Sequence, residues 1–162
     1  MTNTELKGGV KALLDEYKKA INELNSIIKP LNEHNLLMVV DNETNDPDCK
    51  SIQTILTHIV CSGYGYTIYI ENSLGLNKSR LERETYDNVE QYISQLNLMF
   101  AYCENFFKKN THLTIEQTDN SKKIKVNWGQ QYDIEQLLEH AIVHVLRHRR
   151  QISNFITHQN EG

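Results

Sequence analysis

The chain has 162 residues, of which 39% are hydrophobic and 23% are charged, and it carries a net charge of −4 at pH 7. This composition suits one packed domain over residues 1–162, and the acidic balance argues against a sequence-independent nucleic-acid binder, which needs a basic face to displace counterions. With only 2 prolines and 7 glycines, the chain has little material for a loop-rich or all-β fold, so long helices are expected.

Apolar residues recur at steps of three and four in two segments of the first half of the chain, which is the spacing of a buried helix face. The first of these segments covers residues 10–28. A polar, turn-rich loop is expected over residues 41–50, and Ser51 then offers the N-cap of a second helix that extends to Ser73. The Gly-Tyr-Gly-Tyr run at residues 63–66 weakens that helix locally, so it marks either a close packing contact or a kink.

The second half of the chain predicts two more helices, separated by a segment of different period. The third helix is expected over residues 87–109. Residues 111–131 alternate apolar and polar side chains, which predicts a short β-hairpin or an extended loop before the last helix. That helix is expected from Asp133, where Gln136 completes a capping box, to Thr157. Together the helices predict an all-α four-helix bundle, with a small α+β layer as the alternative.

The cysteines and the apolar runs bear on where the protein functions. Cys49, Cys61 and Cys103 cannot all pair, and no two of them stand in a C-x-x-C spacing. The N-terminal residues lack the apolar run of a secretory signal, and no window approaches the roughly 18 consecutive apolar residues that span a bilayer. We therefore expect a reduced, soluble, cytoplasmic protein with no membrane partner.

Histidines on two of the predicted helices are the candidates for functional chemistry. His140, His144 and His148 recur at steps of four in the last helix, so each neighbouring pair presents two imidazoles on one helix face. Such a pair can hold a metal ion if another element supplies a further ligand, and His58 in the second helix is the candidate for it. The alternative is a solvated histidine stripe together with a hydrogen-bonded core histidine, without any ligand role.

The residues around these histidines resemble the DinB/YfiT-like superfamily of metal-binding four-helix bundles. The run HVLRHRRQI that begins at His144 is similar to the superfamily signature H-x-x-x-H-R-x-Q-[IL], and the serine-led segment that ends at His58 is similar to its second-helix motif. The resemblance implies a divalent metal, nickel or zinc, bound by His58, His144 and His148. His140 is then expected to line the pocket or to support a ligand. Arg150 stands where many members have glycine, which affects no ligand.

A three-histidine site leaves at least one coordination position open, which is typical of a catalytic metal. The resemblance implies a thiol-dependent S-transferase, using a low-molecular-weight thiol, or a hydrolase. The alternative is a bundle that binds metal or a protein partner without turnover. No residue stands out as a general base, which favours the transferase. Ser62 and Tyr66 follow His58 at steps of four and eight and are pocket candidates. We expect a small-molecule substrate and, as is common for symmetric assembly of such bundles, a homodimer.

Other residues near these motifs are open to more than one interpretation. Cys61 is a soft fourth metal ligand, a redox-active thiol or an inert core thiol. Trp128 either covers one end of the pocket or only holds the loop before the last helix. Three arginines in the last helix either orient an anionic substrate or interact with the helix dipole and the solvent, namely Arg147, Arg149 and Arg150.

Overall fold

The computed structural model describes residues 5–162 and consists mainly of four long helices. The elements follow in chain order as α1 (Gly8–Ile28), α2 (Glu33–Leu37), α3 (Ile52–Ser73), α4 (Val89–Lys109), β1 (Ile124–Lys125), β2 (Gln131–Tyr132) and α5 (Ile134–Glu161). Short 3-10 turns lie at Pro47–Cys49 and Asn120–Lys122. The prediction of an all-α four-helix bundle with a hairpin before the last helix is confirmed. Across residues 5–162, no helix combines the length and apolar character needed to cross a bilayer.

Local capping signals set most of the helix boundaries. Ser51 and Asp133 cap α3 and α5 as predicted, and each forms a complete capping box with the side chain three residues on. Helix α4 begins at Val89 rather than at residue 87, because Asn88 is its N-cap. Helix α5 ends at residue 161, four residues beyond the predicted end. Helix α2 was not predicted, because its 5 residues are too few to show a helical period.

The four long helices pack around one hydrophobic core. Helix α1 packs mainly against α4 and α5, and α3 packs against the same two helices, so α1 and α3 are diagonal to each other. Each long helix contributes fully buried side chains to the core, among them Leu24, Ile28, Ile55, Leu56, Leu96, Phe107, Leu137 and Ile152. Because α3 and α5 are neighbours, the two helices that carry the candidate histidines share a seam.

The glycines of α3 are sites of close packing, and the helix continues through them without a break. A Cβ added to Gly63 would lie 1.9 Å from Sδ of Met99 on α4. A Cβ added to Gly65 would lie 3.1 Å from Nη2 of Arg80, in the connection between α3 and α4. Because glycine has no side chain, α4 and this connection can approach α3 closely at these two positions.

The hairpin before α5 lies against α3 and α5. Its strands pair in antiparallel register, and Gly129 in the turn has a φ of +89°, a left-handed conformation that favours glycine. The backbone N–H of Asn127 donates a hydrogen bond of 3.0 Å to the phenol oxygen of Tyr69 on α3. The ring of Trp128 then lies 6.1 Å from the ring of Tyr69. The hairpin thus brings an aromatic side chain to the seam between α3 and α5.

Candidate metal centre

Three histidines meet at the seam between α3 and α5. One ring nitrogen from each of His58, His144 and His148 lies within 4.8 Å of the other two. The Nε2 atoms of His58 and His144 are 2.9 Å apart. In a tetrahedral zinc site, whose Zn–N bonds are about 2.0–2.1 Å, neighbouring ligand nitrogens are about 3.3 Å apart. The spacing and the all-nitrogen donor set therefore fit one divalent ion after small side-chain movements.

Oxygen atoms hold the outer nitrogen of two of these rings. Nδ1 of His58 lies 3.2 Å from Oδ2 of Asp48, and Nδ1 of His148 lies 2.9 Å from Oε1 of Gln151. A ring whose Nδ1–H donates to an oxygen presents an unprotonated Nε2, which is the form that binds a metal ion. Asp48 and Gln151 are thus the type of partner that orients metal-binding histidines in proteins.

Asp48 was not predicted as a site residue, because it lies in a segment expected to be only a loop. Its backbone N–H donates a hydrogen bond of 2.9 Å to Oδ1 of Asp46, which starts the turn Pro47–Cys49. Its carboxylate also lies 2.5 Å from the guanidinium of Arg83. No periodic pattern marks such a residue. Gln151 could have been found, since it stands inside the motif that carried the family resemblance.

Burial keeps the three imidazoles in their neutral form. It is the main cause that lowers the pKa of His144 to about 2, and the neighbouring His148 and His58 lower that pKa further. Burial is also the main cause of the lowered pKa values of His58 and His148, which nearby carboxylates partly oppose. Neutral imidazole is the form that ligates metal, so these rings need not lose a proton at neutral pH before binding an ion.

We expect the metal-free protein to lose stability as the pH falls below about 6.5, the ordinary pKa of histidine. Below that pH the unfolded chain protonates these histidines, whereas in the folded state the lowered pKa of His144 prevents it, so acid favours unfolding. The loss is at most about 1.4 kcal/mol per pH unit for each histidine. Urea unfolding in the presence of a chelator, between about pH 7.5 and pH 5, measures it. The control is His144→Gln, whose free energy of unfolding should fall less steeply with falling pH. An equally steep fall would contradict the role of His144 in the acid destabilisation.

The histidine cluster opens into a cleft of about 590 Å³, called here the histidine cleft. Its wall combines side chains from α3, from the connection after α3, from the hairpin and from α5. The lining residues are Asp48, His58, Cys61, Ser62, Tyr66, Arg80, Leu81, Arg83, Trp128, His140 and His144. The structure therefore brings the three pocket candidates selected from the sequence into the wall beside the metal-ligand candidates.

Aromatic rings form one wall of the histidine cleft. The ring of Trp128 stacks on that of His140, with centroids 5.1 Å apart and an interplanar angle of 26°. The ring of Tyr66 meets that of His144 edge-on at 5.6 Å. Burial is the main cause that raises the pKa of Tyr66 to about 12, so its phenol stays protonated at neutral pH. The centroid of His140 is 6.4 Å from that of His144, which makes His140 a part of this wall.

The structure shows where Cys61 and the arginines of α5 lie relative to the histidine cleft. Cys61 lines the histidine cleft, and burial is the main cause that raises the pKa of its thiol. The arginines of α5 do not line this cleft: Arg149 pairs with Glu23 of α1, and the others are exposed. The cationic side chains of the cleft wall are instead Arg80 and Arg83, which the sequence analysis did not select because they lie in a segment without a period.

Comparison with known proteins gives a match over nearly the whole chain. The model of the DinB family matches residues 2–158. The matched range includes the seam between α3 and α5 and all three histidines of the cluster. No curated protein and no solved structure gives a significant match to the chain.

Proposed function

This chain belongs to the DinB family, and we propose that it binds one divalent metal ion, nickel or zinc, and uses it in a thiol-dependent transfer reaction on a small molecule. The proposed ligands are His58, His144 and His148. The observation that carries the proposal is the convergence of three imidazole nitrogens within 4.8 Å beside a cleft of about 590 Å³. A cluster of this kind, with two of its histidines in the wall of a cleft, can meet both a metal ion and a substrate.

Each proposed role follows from a contact of the side chain. A divalent ion held by three imidazoles keeps an open coordination position and lowers the pKa of a thiol or water molecule that it binds. Asp48 and Gln151 orient the rings of His58 and His148. Tyr66, with its pKa raised to about 12, stays able to donate a hydrogen bond. The stacked rings described above offer an apolar surface for a substrate.

The charges of the cleft favour thiol transfer over hydrolysis. Hydrolysis needs a general base near the attacking water, and the carboxylate of Asp48 is already engaged by His58 and Arg83. Among the residues that the structure describes, no other Asp or Glu lines the cleft. A thiol whose pKa has been lowered is a nucleophile without a separate base. These features support the transferase, with the hydrolase and the non-catalytic bundle as alternatives.

Cobalt-loaded protein tests this function. Co²⁺ accepts the same nitrogen and sulfur ligands as zinc, absorbs visible light, and shows a sulfur-to-metal charge-transfer band when a thiolate binds it. We expect β-mercaptoethanol to produce this band in the wild-type protein. The control variant Cys61→Ser removes the protein thiol that lines the same cleft. The band should persist in this variant, because it arises from the added thiol.

The spectra, together with activity assays on the same protein, distinguish the three functions. Absence of the band with every thiol tried, in protein that holds its full cobalt, would contradict the transferase. Turnover of ester or amide substrates by that same protein would support the hydrolase. Cobalt-loaded protein that binds neither thiol nor substrate would support the non-catalytic bundle.

A further inference from the structure

In the part of the chain that the structure describes, Arg80 is the cation of the histidine cleft without a carboxylate partner. Its neighbour in the cleft wall, Arg83, pairs with Asp48 at 2.5 Å. Within residues 5–162, no Asp or Glu oxygen lies within ion-pair distance of Arg80. A charged guanidinium in a cleft wall without a counter-ion has its hydrogen-bond donors available for a ligand.

The exposed Arg80 side chain makes two contacts with α3. Its Cζ lies 5.5 Å from the centroid of the Tyr69 ring, in a cation–π contact. The absence of a side chain at Gly65 leaves the space that the guanidinium occupies. Tyr69 is itself held by the hydrogen bond from the backbone N–H of Asn127. Neither contact of Arg80 is a hydrogen bond, so its planar set of donors can still meet a carboxylate in bidentate fashion.

The wall of the histidine cleft carries a net positive charge, although the whole chain is acidic. The whole chain carries a net charge of −4, yet in the cleft wall Asp48 offsets Arg83, and the charge of Arg80 remains. A cation in the wall of a cleft attracts anions.

We propose that the histidine cleft binds a small organic anion whose carboxylate, or equivalent anionic group, is held by Arg80. This inference rests on the proposed function, because the other end of the ligand is the group that reaches the metal centre. The ring of Tyr66 lies 5.6 Å from that of His144, and Tyr66 directly follows Gly65, against which Arg80 packs. The ligand therefore carries a linker between its anionic group and the group that meets the metal, and a series of probes of increasing length measures that linker.

Zinc-loaded protein and matched thiols test this inference. Trp128 is the single tryptophan of the chain and lines the cleft, so its fluorescence reports binding there. The probes are ω-mercaptocarboxylates, from mercaptoacetate to mercaptohexanoate, and the neutral mercaptoalcohols of the same lengths. We expect the best carboxylate to bind the wild-type protein at least about tenfold more tightly than its alcohol.

Variants of Arg80 connect that preference to the guanidinium. Arg80→Gln should lose the preference for carboxylates and keep its affinity for the alcohols, whereas Arg80→Lys should keep a part, since it retains a charge without the planar donors. The control is Arg150→Gln, which removes an exposed arginine on α5 outside the cleft. It should behave as the wild type.

Zinc content, measured for each protein, distinguishes failure of this inference from failure of the proposed function. Equal affinity for carboxylates and alcohols in zinc-loaded wild type, or a preference that survives in Arg80→Gln, would overturn the role of Arg80 and leave the metal proposal standing. Wild-type protein that binds no zinc would contradict the metal proposal. In that case the preference for a carboxylate is measured in the metal-free protein by comparing hexanoate with hexanol, neither of which needs a metal to bind. Equal affinity for the two compounds would overturn the inference.

Discussion

Purified wild-type protein is expected to carry about one equivalent of nickel or zinc per chain, and the variants His58→Ala and His148→Ala are expected to carry none. Each substitution leaves two of the three imidazoles that converge within 4.8 Å, and two neutral imidazoles hold a divalent ion too weakly to survive purification. Elemental analysis of untagged protein measures the metal content. Titration with added metal then gives the affinity of each variant.

The matched control for this experiment is His140→Ala. His140 lies on the same helix and in the same cleft, but its ring stacks on Trp128. This variant should keep its metal. Asp48→Asn should bind more weakly by about 10–100-fold, because Asp48 orients the ring of His58 without touching the ion. Loss of metal in His140→Ala equal to that in His58→Ala, or a wild-type protein that binds no added nickel or zinc, would contradict the assigned ligands.

Gly63→Ala is expected to lower the free energy of unfolding by about 1–3 kcal/mol, the usual cost of overpacking a core. In an exposed helix interior the same change stabilises by about 0.5–1 kcal/mol, because alanine loses less conformational entropy than glycine. At this position the new methyl group would lie 1.9 Å from Sδ of Met99, which is itself buried on α4. The two helices must then separate, or Met99 must repack. Urea unfolding monitored by circular dichroism measures the change.

Two further variants identify the contact that is responsible. Gly9→Ala places its methyl group at an ordinary contact distance of 3.4 Å from Ile115, so it should be neutral or slightly stabilising. Met99→Ala removes the side chain that Gly63→Ala meets. The double variant Gly63→Ala/Met99→Ala should therefore be more stable than the sum of the single changes predicts. If the changes in the free energy of unfolding of the two single variants simply add in the double variant, a contact other than the one with Met99 destabilises Gly63→Ala.

The helices could be predicted because their signals are local. The stripe of apolar residues over 10–28 and the capping boxes at Ser51 and Asp133 each involve residues a few positions apart, and the structure contains them. The predicted and the observed helices differ where the local signals are weak or where two neighbouring residues could both serve as the N-cap. Asn88, rather than the preceding residue, caps α4. The 5 residues of α2 are too few to show a period. The homodimer and the cytoplasmic location remain predictions.

The candidate site also has one part that the sequence predicts and another that only the structure shows. The spacing of His144 and His148 places both rings on one helix face, so the sequence alone made them a pair. Their partnership with His58 depends on α3 and α5 being neighbours in the bundle, which the spacing alone could not establish and the family resemblance supplied. Asp48 and Arg80 lie in segments without regular period, and only their contacts with α3 reveal them.

Local interactions thus account for the all-helical class, the caps and the histidine pair, since helical periodicity and capping act over three or four residues. The folded chain adds everything that depends on contacts between distant residues: the seam between α3 and α5, the contact of Asp48 with His58, and the position of the Arg80 guanidinium in the cleft wall. The connections that carry Asp48 and Arg80 have little regular structure of their own. Packing against α3 determines where these two side chains lie, and a pattern of nearest neighbours does not contain that information.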